Sequence, residues 1–115
     1  MSAGKHNLLV EQGATFSESV VYKTDSGDAV DLTGFTARLM LRTSYSAAEA
    51  SLSLTSENGG LTITPESGQI DILITDAQTS SLASGVYVYD LEIDNGTIVR
   101  RLIEGRATVT PEATK

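Results

Sequence analysis

Residues 85–110, GVYVYDLEIDNGTIVRRLIEGRATVT, decide the fold. Tyr87, Tyr89, Leu91 and Ile93 fall on one face of an extended strand, and Asp90, Glu92 and Asp94 fall on the other. That period of two is the pattern of a half-buried strand. Asn95-Gly96 follows at once, a dipeptide suited to the positive φ angles of a two-residue hairpin turn. The return segment, Thr97 to Thr110, carries Ile98, Val99, Leu102, Ile103, Ala107 and Val109. Alternation and turn together predict a β-hairpin.

Upstream, Asp76 to Leu82 (DAQTSSL) predicts one capped helical turn starting at Asp76. Leu61–Thr64 and Gln69–Thr75 predict a strand pair around Pro65-Glu66-Ser67-Gly68, with Ile70, Ile72 and Ile74 on one face. Glu57 to Gly60 is a turn by composition. Ser51–Thr55 predicts a short strand with Leu52 and Leu54 inward, and Thr43–Ala50 a loop with one helical turn at most. In Phe35–Arg42, alternation of Phe35, Ala37, Leu39 and Leu41 with polar or longer residues predicts a central strand, entered through the corner Asp31–Gly34.

Thr15–Tyr22 predicts another strand, with Phe16, Val20 and Tyr22 on one face and Glu18 on that same face. Lys23–Asp28 then closes a hairpin loop with Gly27 as its positive-φ residue. Leu8–Val10 predicts a short first strand. The expected organisation is a flexible arm over residues 1–7, a single domain over 8–111 and a polar tail over 112–115. Some seven to eight short strands with frequent turns and no substantial helix predict an all-β, immunoglobulin-like antiparallel β-sandwich, here without the Cys–Trp–Cys pin of antibody domains.

A chain of 115 residues suffices for one domain with a hydrophobic core and not for two. Hydrophobic residues at 40% and charged ones at 20% are ordinary globular values, and with aromatics at 5% aliphatic side chains must supply the core. The absence of cysteine excludes disulfides, thiolate metal sites and cysteine nucleophiles. A net charge of −7 with scattered Lys and Arg speaks against nucleic acid as a partner. No apolar run suits a signal peptide or a membrane span, so the expectation is a soluble product made in the cytoplasm, with no membrane partner.

Chemistry is sparse. His6 is the sole histidine and lies in the presumed arm, so no Ser–His or Cys–His pair with a rigid base can be built. Carboxylate pairs alone do not make a glycosidase without a long aromatic-lined cleft. The sequence predicts no enzyme and no cofactor. Asp25, Asp28 and Asp31 leave two readings: a hydrated turn, which is preferred, or an acidic loop for calcium without EF-hand spacing. The stripe Asp90, Glu92, Asp94 also leaves two: cross-strand pairing with Arg100 and Arg101, which is preferred, or an acidic face that docks a basic partner.

The pieces VEQGATFS, AVDLTGFTARLMLRTSYS, SENGGLTI, GQIDILITDAQTSSLASGVYVYDLEI and RRLIEGRATVTPE carry a resemblance. The chain resembles the small immunoglobulin-like β-sandwich proteins of tailed bacteriophages, related to the collar protein that anchors side tail fibres in some long-tailed phages. More distantly it is similar to the N-terminal domain of baseplate upper proteins. The likeness runs from Leu8 to Glu112, with the DLTGFTA corner and its following strand, the run from Thr75 to Glu92 and the close from Leu102 to Glu112 as its most telling pieces.

The resemblance implies a virion structural protein, made in the host cytoplasm. It would be an adaptor of the neck or collar, tail or baseplate that forms a homo-oligomeric ring and anchors tail fibres or neighbouring tail proteins. It implies no enzyme and no cofactor. Glu18 departs from the apolar residue the resemblance leads one to expect, and the expectation is of no added receptor-binding domain, which puts a direct role in host adhesion in question. The alternatives are a carbohydrate- or surface-binding adhesin module, disfavoured by the lack of Trp, and a head decoration protein. By position alone, the partner interface is expected at Leu8, Leu9 and Val10 and at Thr43, Ser44 and Tyr45 within the irregular Thr43–Ala50 segment.

Overall fold

The alternating stretches of the sequence become neighbours in one sheet. The structure, a computed structural model, describes residues 4–114. It contains β1 (Gly4–Lys5), β2 (Leu8–Glu11), β3 (Phe16–Val21), β4 (Thr36–Arg42), β5 (Leu52–Thr55), β6 (Leu61–Thr64), β7 (Gln69–Ile74), α1 (Asp76–Ser81), β8 (Gly85–Asp94) and β9 (Val99–Thr110). The larger sheet runs β1-β9-β8-β4-β5, with β2 also on β9, and the smaller runs β3-β7-β6. All pairings are antiparallel except those of β1 and β2 with β9.

The fold is the expected all-β sandwich, with nine strands among the described residues rather than seven or eight. Its core lies where Leu39, Leu41, Leu54, Leu91 and Ile93 of the large sheet face Leu61, Ile70, Ile72 and Ile74 of the small one, all buried. Leu32, in the corner before β4, is also fully buried. The corner is held by Asp31 Oδ1, which accepts from the backbone N–H and hydroxyl of Thr33.

Several local expectations are corrected. The hairpin turn is a four-residue loop, 95–98, because Asp94 pairs with Val99. Asn95 keeps negative φ and only Gly96 is left-handed, so the two-residue turn does not form. Instead Asn95 Oδ1 accepts from the N–H groups of Thr97 and Ile98, an Asx closure that competes with the tight turn. Leu102 is the extra residue of a bulge: Leu91 pairs with Ile103 but Glu92 with Arg101. Ile98 and Val99, grouped with the apolar residues of the return strand, are exposed at the hairpin tip.

Helix α1 is capped by Thr75, not Asp76. The Thr75 Oγ1 accepts from Gln78 N–H while the Gln78 side chain accepts from Thr75 N–H, a reciprocal capping box. Thr79, the buried polar residue of this helix, donates to the Ala14 carbonyl and accepts from Gly13 N–H, which seats α1 on the β2–β3 turn. Residues 43–50 form the expected loop, with one hydrogen-bonded turn from Ser44 to Ala47 and no helix. The Lys23–Asp28 loop is closed by an isolated bridge between Lys23 and Ala29 and by the Thr24 N–H donating to the Asp28 carbonyl, while the strand partner of β3 is β7 rather than the segment after the loop.

Residues 4–7, read as part of a flexible arm, lie along β9, while Met1–Ala3 and Lys115 fall outside the described residues. β1 and β2 keep the same register on β9, and the chain between them passes directly over Gly105. A Cβ there would come within 2.3 Å of the His6 carbonyl oxygen, so only glycine leaves room. Tyr89 donates its hydroxyl to that carbonyl, and the His6 ring meets Glu18 Oε1 of the opposite sheet at 2.8 Å. Burial, with the Glu18 charge behind it, pushes the Tyr89 phenol up, so it stays a donor at neutral pH.

Candidate protein-interaction surface

The outer face of the large sheet divides into a charged middle and an apolar end. In the middle, Arg38 on β4 donates to Glu92 at 3.0 Å and reaches Asp94 at 3.5 Å. Arg101 on β9 donates to Glu104 at 3.1 Å and lies 3.5 Å from Asp90 and 3.8 Å from Glu92. Lys5 on β1 completes the network on Glu104. The hydrogen bond from Lys5, then that from Arg101, holds the Glu104 carboxyl below its ordinary range. Burial, then repulsion from Glu92, pushes Asp90 up. The acidic stripe is therefore neutralised by cross-strand partners. Of the two arginines expected there, Arg101 takes part and Arg100 does not, and Arg38, which arrives from β4, was not expected.

Toward the start of β8 the same face changes character. Directly opposed residues on adjacent strands share a face. Leu9, Thr108 and Val86 form one row across β2, β9 and β8, and Arg106, Val88 and Arg42 form the next across β9, β8 and β4. Leu9 is 60% exposed and Val86 58%, which sets them apart from the buried aliphatics of the same strands, and Tyr45 in the loop after β4 is 68% exposed. Tyr45, Met40, Arg42 and Val88 line a shallow cleft of about 150 Å³ that reaches Asp90. The loop carrying Tyr45 is fastened by Arg42 Nη1, which donates to the Ala47 carbonyl at 2.9 Å, and by the Ala47 N–H to the Ser44 carbonyl at 3.1 Å. Neither Arg42 nor Arg106 makes an ion pair among the described residues.

The six residues expected at an interface divide accordingly. Leu8 and Val10 are buried at 3% and 0%, because their parity places them against the core beside Ala107 and Val109. Their side chains are turned to the core and not offered to a partner, which corrects that part of the expectation. Leu9, Thr43, Ser44 and Tyr45 are exposed, and the sheet brings Leu9 and the Tyr45 loop to the same end of the molecule. Val86, Val88, Arg42 and Arg106 were missed. A signal existed: the outward positions of β8 read Val86, Val88, Asp90, Glu92, Asp94, an apolar pair followed by acids.

Tyr, Arg and Met beside exposed aliphatics are the side chains enriched where proteins bury a contact. The other chemical expectations find little support. Asp31 is engaged by Thr33, and no group of three or more His, Asp or Glu side chains able to hold a metal occurs among the described residues. No described helix is long and apolar enough to cross a membrane. No protein-family model matches the chain, and no curated protein sequence matches it.

Proposed function

We propose that the chain is a non-enzymatic structural adaptor of a tailed-phage particle. It would sit in the neck or collar, tail or baseplate, assemble as a ring of copies through the Leu9–Val86–Tyr45 surface, and hold a fibre or neighbouring tail protein. The observation that carries the reading is this exposed apolar end with two arginines outside any described ion pair, displayed on a β-sandwich whose sequence resembles phage adaptors. A docking contact needs such a rigid, partly apolar platform with a polar rim.

Light scattering on the purified protein and cryo-microscopy of particles test it together. A closed ring in solution or on the particle, lost with Val86→Glu while the fold is kept, is the expected result. A monomer at every concentration that is also absent from particles overturns the reading. One observation favours a second reading, a carbohydrate- or surface-binding module: exposed Tyr45 stands beside Arg42 and Asp90, an aromatic face with polar neighbours. Glycan-array binding that is lost in Tyr45→Ala would select it.

A further inference from the structure

A second cleft lies near the opposite end of the sandwich from Val86: its Arg100 pairs with Ile93, seven residues along β8 and so about 23 Å away. It has a volume of about 310 Å³. Its floor is Tyr22, Val30, Leu32 and Phe35, and its rim carries Lys23, Arg100 and Asp25. The walls are tied by backbone bonds: Tyr22 N–H to the Gly68 carbonyl at 2.8 Å, Val30 N–H to the Tyr22 carbonyl at 3.0 Å, and Leu32 N–H to the Pro65 carbonyl at 3.0 Å. Gly68, at φ +63°, permits this convergence, since a Cβ there would lie 2.6 Å from the Val30 carbonyl oxygen. A site so fixed loses little freedom on binding.

Arg100 is the unusual residue. It pairs opposite fully buried Ile93 and thus holds an inward-facing position, yet it is exposed because the chain around it opens into the cleft. Neither Arg100 nor Lys23 makes an ion pair among the described residues, in a chain of net charge −7. Two cations against one Asp suit a single negative charge, and the guanidinium fork matches a carboxylate. The volume is at the small end for ligand sites, with room for one or two side chains rather than a cofactor.

We propose that this cleft binds a peptide segment of a protein partner in which one carboxylate adjoins a large apolar side chain. The apolar group enters over Tyr22, Val30, Leu32 and Phe35, and the carboxylate meets Arg100 and Lys23. The proposal does not depend on the virion reading. It would give the molecule contacts at both ends of its long axis.

The test is ¹H–¹⁵N NMR titration of the full chain with acetyl-Ala-Glu-Phe-Ala-amide and with its Gln counterpart. Saturable shifts at residues 22–25, 30–35 and 100, weakened about tenfold or more by the Gln peptide and by Arg100→Gln, are expected. Arg100→Gln keeps much of the stem that covers the core, and its spectrum shows whether the fold is intact. Equal binding of both peptides, no saturable shift, or shifts at Val86 and Tyr45 instead overturn the proposal. So does reproduction of the same shifts by acetate alone, or shifts that follow protein concentration without peptide, which would make a second copy the occupant. Val86→Glu is expected to leave peptide binding unchanged, so loss of the adaptor surface and loss of this site are separable.

Discussion

Substituting Gly105 by Ala should dislodge residues 4–7 from β9 without disturbing the core. The new Cβ would meet backbone, 2.3 Å from the His6 carbonyl oxygen and 3.0 Å from its carbon, so no side-chain rotation can relieve the clash. Three hydrogen bonds hang on that approach: His6 N–H to the Glu104 carbonyl, Tyr89 hydroxyl to the His6 carbonyl, and Arg106 N–H to Asn7 Oδ1. The exposed ones are partly replaced by water, so the main loss is the Tyr89 hydroxyl, on a side chain only 1% exposed. A buried hydroxyl left unpaired costs about 1–3 kcal/mol, and the remaining bonds add about 1 kcal/mol. Reduced freedom of the unfolded chain returns about 0.4–1 kcal/mol. The net expectation is a destabilisation of about 1–4 kcal/mol. Urea unfolding followed by circular dichroism measures it, and hydrogen exchange at His6 locates it. Tyr89→Phe alone should cost about 1 kcal/mol, and the double variant should cost less than the sum because both lose the same bond. A cost below about 0.5 kcal/mol with His6 protection intact, or strict additivity, would refute the reasoning.

Val86→Glu should leave stability within about 0.5 kcal/mol, since the side chain is mostly exposed, while abolishing any self-association seen by light scattering. Thr75→Ala removes the reciprocal cap of α1 and should cost about 1 kcal/mol in urea unfolding. Asp90→Asn tests the charged network by pH. Because burial raises Asp90, the native state takes up its proton at higher pH than the unfolded chain, and ionising it costs stability as pH rises through that range. The variant should therefore be the more stable protein at neutral pH, with the difference closing as pH falls into the carboxylate range; a variant less stable at neutral pH would show that the Arg101 contact dominates.

Alternation made β4 and β8 readable from sequence, because a side chain on the wrong face of either strand would either bury a charge or strip the core. The turn at Asn95-Gly96 was read by dipeptide preference alone, and it failed because the Asn95 side chain satisfies the backbone of Thr97 and Ile98 itself. β1 was illegible for a different reason. Gly4–Lys5 has no pattern of its own, and its pairing depends on Gly105, some hundred positions away in sequence. Glu18 looked misplaced within its strand. Its inward carboxylate meets His6 from the other sheet, and an inward charge on the edge strand β3 also discourages strand addition there. Of the interaction surface, Leu9 and Tyr45 were reached by position, but the sheet register that joins them to Val86 and Arg106 is a tertiary fact.

The size of that surface bears on how it would be used. Leu9, Val86 and Tyr45 are each more than half exposed and contribute little to the core, so their apolar area is available to a partner. Taking that area as on the order of 300 Å², the size of a typical functional surface patch, its burial would supply about 7 kcal/mol at 25 cal/mol per Å². Association itself costs about 4–15 kcal/mol in lost freedom, so one such contact is weak even with carboxylates on Arg42 and Arg106. Closing the copies into a ring changes the balance, because the closing contact forms within one assembly at high effective concentration and a copy can then leave only by breaking two contacts. A surface of this size therefore favours assembly in numbers over a tight pair. Raising the salt concentration should then disperse the assembly, since the arginine contacts at its rim are screened while the apolar area is not.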